Sequence, residues 1–288
     1  LSIRNFVPTI WSAKIFQELD KAHVLVPLCN RNYEGEIRNY GDTVKINAVG
    51  DVTISNYAPN VTSITPEQLN SAQTILEIDQ AKYFAFYIDD VDNAQTNPKL
   101  MGEAMRKAAY GLADVTDKWI AGFYSDAGYT ISYTTVNDAG VTVANTLNVL
   151  SAAAQALDEN NVPGQGRWMA IPPWFHQYLI KNKILETEGS VDANEAYTNG
   201  YVGRAFGFDF YLSNNLTTGT RTVGTLHSHR LMAGTSRAIS FAEQIVKVEG
   251  YRPENSFSDA VKGLHVYGGK VIDPNALITL SLNTTESS

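Results

Sequence analysis

Residues 97–122, NPKLMGEAMRKAAYGLADVTDKWIAG, most constrain what this chain can fold into. Asn97 suits a helix cap, and Pro98 suits the first helical position, where a missing N–H costs nothing. At about 100° per residue, Met101, Met105, Ala108, Leu112, Val115, Trp119 and Phe123 fall on one narrow stripe. Lys99, Glu103, Arg106, Lys107, Tyr110, Asp114, Asp117 and Lys118 lie opposite. Glu103 with Lys107, and Asp114 with Lys118, have the favourable acid-first i,i+4 order. Gly102 and Gly111 each cost about 1 kcal/mol relative to Ala, so packing rather than propensity must hold the helix. Its length, roughly 40 Å, is about twice that of an ordinary globular helix. Such a helix braces an extended molecule or runs through the core of an α+β enzyme, and periodicity alone leaves both open.

The chain has 288 residues, of which 44% are hydrophobic, so a substantial core is expected in one large domain or two ordinary ones. A net charge of −8 argues against a surface that holds nucleic acid by neutralising phosphates, though not against one that merely faces it. Cys29 is the sole cysteine, which excludes an internal disulfide and a four-cysteine zinc site. Within VLVPLC it reads as a small buried hydrophobe. No membrane-crossing run, signal peptide or transit sequence is visible.

Residues 1–30 begin with an arm, in which Thr9 to Asp20 form an amphipathic helix with Trp11, Ile15 and Leu19 on one side. Its apolar side docks on its own core or on a neighbouring chain. In residues 41–57, Val44, Ile46 and Ala48 alternate with polar residues, Gly50-Asp51 marks a turn, and Val52 and Ile54 continue the alternation. Thr74 to Asp89 returns as a strand, so 41–89 reads as a long hairpin with a polar tip and too few large apolar residues for its own core. An isolated two-stranded ribbon is marginal in water, so it needs a partner surface. Downstream, 129–144 reads as a hairpin turning at Asn137–Gly140, Thr146–Glu159 as a helix, Trp168–Ile171 as a buried strand, and the residues after Pro172-Pro173 as a short helix. Residues 186–200 read as a loop. GRAFGFDFYLSNNL reads as one Gly-punctuated strand, and Leu231–Phe241, Gln244–Arg252, 261–272 and ALITLSL as the last strands. The class is α+β with mainly antiparallel pairing.

Candidate chemistry is thin. Asp89, Asp90 and Asp92 lack the central Gly and final Glu of a calcium loop. His227 and His229 would face one way on a strand and could share a metal, but no third ligand is close in sequence. His176 reads as a partly buried helix residue and His265 as a hydrogen-bonding strand residue. No G-x-S-x-G elbow exists, and the apolar setting of Cys29 disfavours a thiolate nucleophile. Gly200, Gly203 and Gly207 lack a phosphate-loop pattern and read as tight bends. A histidine-centred hydrolase and a carbohydrate-binding module using Trp168 and Trp174 remain as alternatives. No cofactor or metal site is expected.

Four stretches, in order, carry a family resemblance: IDQAKYFAFYIDDVD (Ile78 to Asp92), NPKLMGEAMRKAAYGLAD (Asn97 to Asp114), GRWMAIPPWFHQYLI (Gly166 to Ile180) and the segment from Phe241 to Leu277. Together they resemble the major capsid (coat) protein of tailed bacteriophages, a fold shared with encapsulin shells and the herpesvirus capsid floor. The resemblance implies an N-terminal arm (1–40), an extended loop (41–89), a P-domain (90–145) with a spine helix at 97–122, an A-domain (146–240), and return strands into the P-domain (241–288). It implies no enzymatic activity. It implies pentamers and hexamers closing into an icosahedral shell that faces double-stranded DNA, with portal, scaffolding and decoration proteins as partners. It places the chain in the virion capsid, assembled in the bacterial host cytoplasm and without membrane contact. An encapsulin-like compartment is the alternative within the same fold. On this reading the ribbon lies across a neighbouring subunit, and Lys45 and Glu77 face complementary charges on the adjacent spine, with Arg106 and Lys107 as candidate partners.

Overall fold

The computed structural model describes residues 23–33, 40–49, 56, 71–89, 100–133, 141–185, 200–219, 227–254 and 258–284. The expected arm helix at 9–20, the ribbon tip, Asp90 and Asp92, the turn at 137–140 and the loop at 186–199 lie outside the described residues. In chain order the elements are β1 (Thr43–Val49), β2 (Ser71–Glu77), β3 (Gln80–Asp89), α1 (Leu100–Ala121), β4 (Tyr129–Tyr133), α2 (Thr146–Glu159), β5 (Arg167–Ile171), α3 (Pro173–Lys181), β6 (Tyr201–Ala205), β7 (Phe208–Leu212), β8 (His227–Thr235), β9 (Ile239–Tyr251), β10 (Ser258–Val271) and β11 (Leu277–Thr284). The class is α+β, as the residue patterns imply.

Among the described residues the strands form three sheets: the ribbon β1-β2, the sheet β3-β10-β9, and the sheet β4-β11-β8-β5-β7-β6. Thr74 to Asp89 is therefore not one strand. It breaks at Ile78 and Asp79, and its halves join different sheets. The physical reason is burial: Val44, Ile46, Leu76 and Ile78 form a small core with Ala242 and Val266, so the ribbon root sits on the three-stranded sheet. The outer ribbon face carries Lys45, Ile75 and Glu77, all exposed.

Helix α1 packs on the other face of that sheet. Met105 and Ala109 meet Val248, Val261, Phe84 and Phe86, while Leu112 and Ala113 meet Phe84. The buried stripe is rotated from the expected one: Ala109, Ala113, Thr116, Asp117 and Ile120 are buried, and Val115 is 40% exposed. Small alanines let the helix approach the Phe84 and Phe86 rings, and Asp117 turns inward because backbone amides and a histidine await it. Lys118 bonds Asp114 at 2.6 Å as the i,i+4 spacing implies, but Glu103 takes Arg106 at i+3 rather than Lys107.

In the six-stranded sheet every residue of β5 and β11 is buried. Val149, Leu150, Ala153 and Leu157 of α2 and Phe175, Tyr178 and Leu179 of α3 belong to its core. Tyr129–Tyr133 forms no local hairpin; it pairs in parallel with β11, and Val141 N–H donates to Asn283 O at 2.7 Å. Pairing along the wholly buried β11 outcompetes a short polar hairpin. GRAFGFDFYLSNNL likewise holds parts of two strands, β6 and β7, reversed at Phe206 and Gly207 with φ of 52° and 80°. Positive φ at both positions is the two-residue hairpin geometry that matches strand twist. The expected strand Leu231–Phe241 is interrupted between Thr235 and Ile239, and β9 then runs unbroken through Glu243.

Where the ribbon root crosses β10, a Cβ on Gly268 would overlap the carbonyl oxygen of Glu77 and lie 2.8 Å from Ile78 Cα. Gly268→Ala should therefore lower subunit stability by about 1–3 kcal/mol, the usual cost of overpacking. Chemical denaturation checks this, and an unchanged midpoint would mean the crossing is looser than described.

Candidate assembly surface

The four residues singled out from the sequence stand on two separate surfaces. Lys45 and Glu77 share the outer face of the ribbon, since Thr43 pairs with Glu77 and Lys45 with Ile75. Arg106 and Lys107 lie on the exposed side of α1, where the Arg106 guanidinium holds the Glu103 carboxylate. Among the described residues no ion pair joins the two sets within one subunit. A further surface was not anticipated. On the sheet face turned away from α1, Tyr83 is 80% and Tyr87 69% exposed, beside the exposed Leu264 and Tyr251. Lys262 lies 5.1 Å from the centre of the Tyr251 ring. The alternation in KYFAFY foretold the sheet, but only the packing shows that Phe84 and Phe86 are covered while the tyrosines are not.

The sequence also gave no notice of a buried ion cluster. His23 Nδ1 lies 3.5 Å from Asp117 Oδ1, and His23 Nε2 lies 3.4 Å from Glu243 Oε2. These contacts lack hydrogen-bond alignment, so charge holds the ring. His265 Nε2 donates to Glu243 Oε2 at 3.0 Å, and Arg31 Nη2 donates to Glu243 Oε1 at 3.1 Å. The backbone N–H groups of Val24 and Leu25 donate to Asp117 at 2.9 and 3.2 Å. Burial alone would lower the His23 pKa, but Asp117 and then Glu243 outweigh it and raise the value to about 9. Burial would likewise raise Glu243, yet His23 and His265 hold it down at about 2. Glu243 reaches this seam because of a bulge: the β10–β9 register passes from Leu264–Lys247 to His265–Ile245, skipping Val246. That skip puts Glu243 and Val248, of opposite parity, on the same side of the sheet.

The groups weighed for catalysis or ligand binding are occupied structurally. Trp174 Nε1 donates to His229 Nδ1 at 3.0 Å, and His227 stacks on the same indole at 5.8 Å. The two histidines do face one way, around an aromatic side chain. Among the described residues no group of three His, Cys, Asp or Glu converges on a metal position. Trp168 and Trp174 are buried, which overturns the carbohydrate-stacking reading. Burial lowers the pKa of His176. Gly200, Gly203 and Gly207 all have positive φ, as tight bends require. Cys29 is buried with its thiol directed at Leu25 O, and burial and Asp117 push its pKa far up.

The profile of the phage capsid protein family matches residues 71–280. The chain belongs to that family. It is a structural, non-enzymatic subunit that self-assembles into the capsid shell of a virion. A structure from Mycobacterium phage Che8 is 28% identical, with a TM-score of 0.69 and 90% of each chain covered. The capsid structure of the cyanophage P-SCSP1u is 20% identical, with a TM-score of 0.67 over 91% of this chain and 86% of that one. A virus-like particle from Pyrococcus furiosus, 11% identical, shares the fold with a TM-score of 0.57 over 95% and 98% of the two chains. No curated protein matches in sequence.

The setting of Cys29 makes a simple prediction. A thiol reagent at pH 8 should leave the native protein unmodified and label Cys29 only after denaturation. Prompt labelling of the native chain would contradict the burial of Cys29.

Proposed function

We propose that this subunit forms pentamers and hexamers that close an icosahedral shell around packaged double-stranded DNA in the bacterial host cytoplasm. Portal, scaffolding and decoration proteins are the further partners on this reading. The chain divides into an arm (1–40), an extended loop (41–89), a P-domain (90–145) and an A-domain (146–240), with 241–288 returning to the P-domain. On that division the P-domain is built on α1 and the sheet β3-β10-β9, with β3 contributed by the end of the extended-loop segment. The A-domain is built on the six-stranded sheet, with β4 and β11 contributed from outside 146–240.

One observation supports this reading most: the ribbon is covered on one face by its own subunit and bare on the other, which carries Lys45, Ile75 and Glu77. A two-stranded ribbon with one open face is marginal by itself and is completed by a neighbour. The bare Tyr83, Tyr87, Tyr251 and Leu264 face is apolar area for copies of the chain to bury. Electron microscopy of purified protein should show closed shells or capsomer rings. A uniform monomer at every salt and protein concentration would overturn the reading, and shells holding protein cargo instead of DNA would favour the compartment alternative.

Glu77 faces Arg106 and Lys107 of the adjacent spine, and Lys45 faces Glu103 there. Each exposed pair contributes about 0–1 kcal/mol, but shell symmetry repeats it. Glu77→Lys should weaken assembly at low salt, and adding Lys107→Glu should restore it. Light scattering at two ionic strengths checks this; equal assembly of both variants and the parent would exclude the pairing.

A further inference from the structure

Residues 23–31 are fastened to two elements at once. Asp117 of α1 accepts the amides of Val24 and Leu25, and Asn30 bridges to β9, accepting from Phe241 N–H at 3.0 Å and donating to Ile239 O at 2.8 Å. Between these two attachments, His23 is fully buried and flanked by two carboxylates. Among the described residues the charged or titratable groups around it are Asp117 from α1, Glu243 from β9, and behind Glu243 both His265 from β10 and Arg31 from the same segment. Cys29 lies near Asp117 and Arg31 and is neutral. Both carboxylates are buried, and a proton on His23 places a positive charge between them.

We propose that His23, Asp117, Glu243 and Arg31 form a proton-dependent latch, closed only while His23 is cationic, that fastens the root of the N-terminal segment to α1 and β9. The latch fixes the course of residues 23–31 over the subunit and couples it to the long helix and to the strand that seats the ribbon root. This holds for the isolated subunit and the shell alike, so it stands or falls independently of the assembly reading.

The pH window follows from the two shifted groups. His23 titrates ordinarily at 6.5 and at about 9 here, so its contribution is complete below 6.5 and lost as pH rises through 9. Glu243 titrates ordinarily at 4.5 and at about 2 here, so its contribution is complete above 4.5 and lost as pH falls through 2. The latch is therefore tightest between these ordinary values and opens on the alkaline side.

Hydrogen exchange of the full-length protein, read by mass spectrometry and corrected for intrinsic rates, tests it. Protection of the 24–30 amides should fall at least about tenfold between pH 8 and 10 while α2 stays protected. His23→Gln should lose that protection already at pH 7 and show no further step. Glu243→Gln should move the midpoint down by removing a carboxylate, and Arg31→Met should move it up by removing a competing cation. Opposite shifts are not expected of a merely structural cluster. Flat wild-type protection up to pH 10, or an unchanged step in His23→Gln, would overturn the latch. Should His23→Gln fail to fold, the wild-type profile and the two opposed shifts decide it.

Discussion

The pairing of the last two strands with strands laid down much earlier holds the rest in place. β10 runs against β3, with Ser258 opposite Asp89 and Tyr267 opposite Gln80. β11 lies between β4, which it meets in parallel, and β8, which it meets antiparallel. Closing such long loops costs only slowly more than closing short ones, because the entropy grows with the logarithm of length. Burying an entire strand such as β11 outweighs it, at roughly 1.5–3 kcal/mol per large apolar side chain. Neither the sheet under α1 nor the six-stranded sheet is complete without the C-terminal strands.

Helix α1 bridges those two sheets, and its chemistry changes along its length to suit. Its first half packs apolar residues on the three-stranded sheet, with Met105 and Ala109 against Val248 and Val261. Its last turns place Ile120 and Ala121 in the main core. Between them sits Asp117, buried against the N-terminal segment. Buried ions cost several kcal/mol each to desolvate and are tolerated only when fully paired. Here Asp117 takes two amides and an imidazole, and Glu243 takes a guanidinium and two imidazoles. Such a cluster is more demanding than an apolar contact, because it accepts only one placement of residues 23–31.

The subunit's surfaces express its role as clearly as its core does. Large contiguous apolar patches are uncommon on monomeric proteins. Yet a face with Tyr83, Tyr87, Tyr251 and Leu264 lies bare next to a ribbon whose root already covers the other end of the same sheet. Among the described residues nothing comparable marks a catalytic centre: His227 and His229 lie against Trp174, His23 and His265 pair with Glu243, and the cysteine is enclosed. A chain built this way satisfies its interior alone and its exterior in company, as membership of a capsid family requires.

The residue pattern alone determined the elements whose information is local. Thr146–Glu159 is a helix because its alanines and leucines favour one and Asn160 ends it; Arg167–Ile171 is a buried strand and Pro173 opens α3 for similar reasons. The long amphipathic helix and the order of four stretches were enough to identify the family. What only tertiary structure decided depends on choosing between distant partners. Tyr129–Tyr133 could pair locally or with β11, and burial chose β11. Asp117 reads as a solvent-facing acid by its helical angle, and a histidine 94 positions earlier turned it inward. Glu243 and Val248 cannot share a face by simple alternation, and one skipped residue in β9 makes them do so. Period and propensity are properties of neighbours in sequence, whereas bulges, parallel pairings and buried charges are settled by atoms that meet only once the chain has closed on itself.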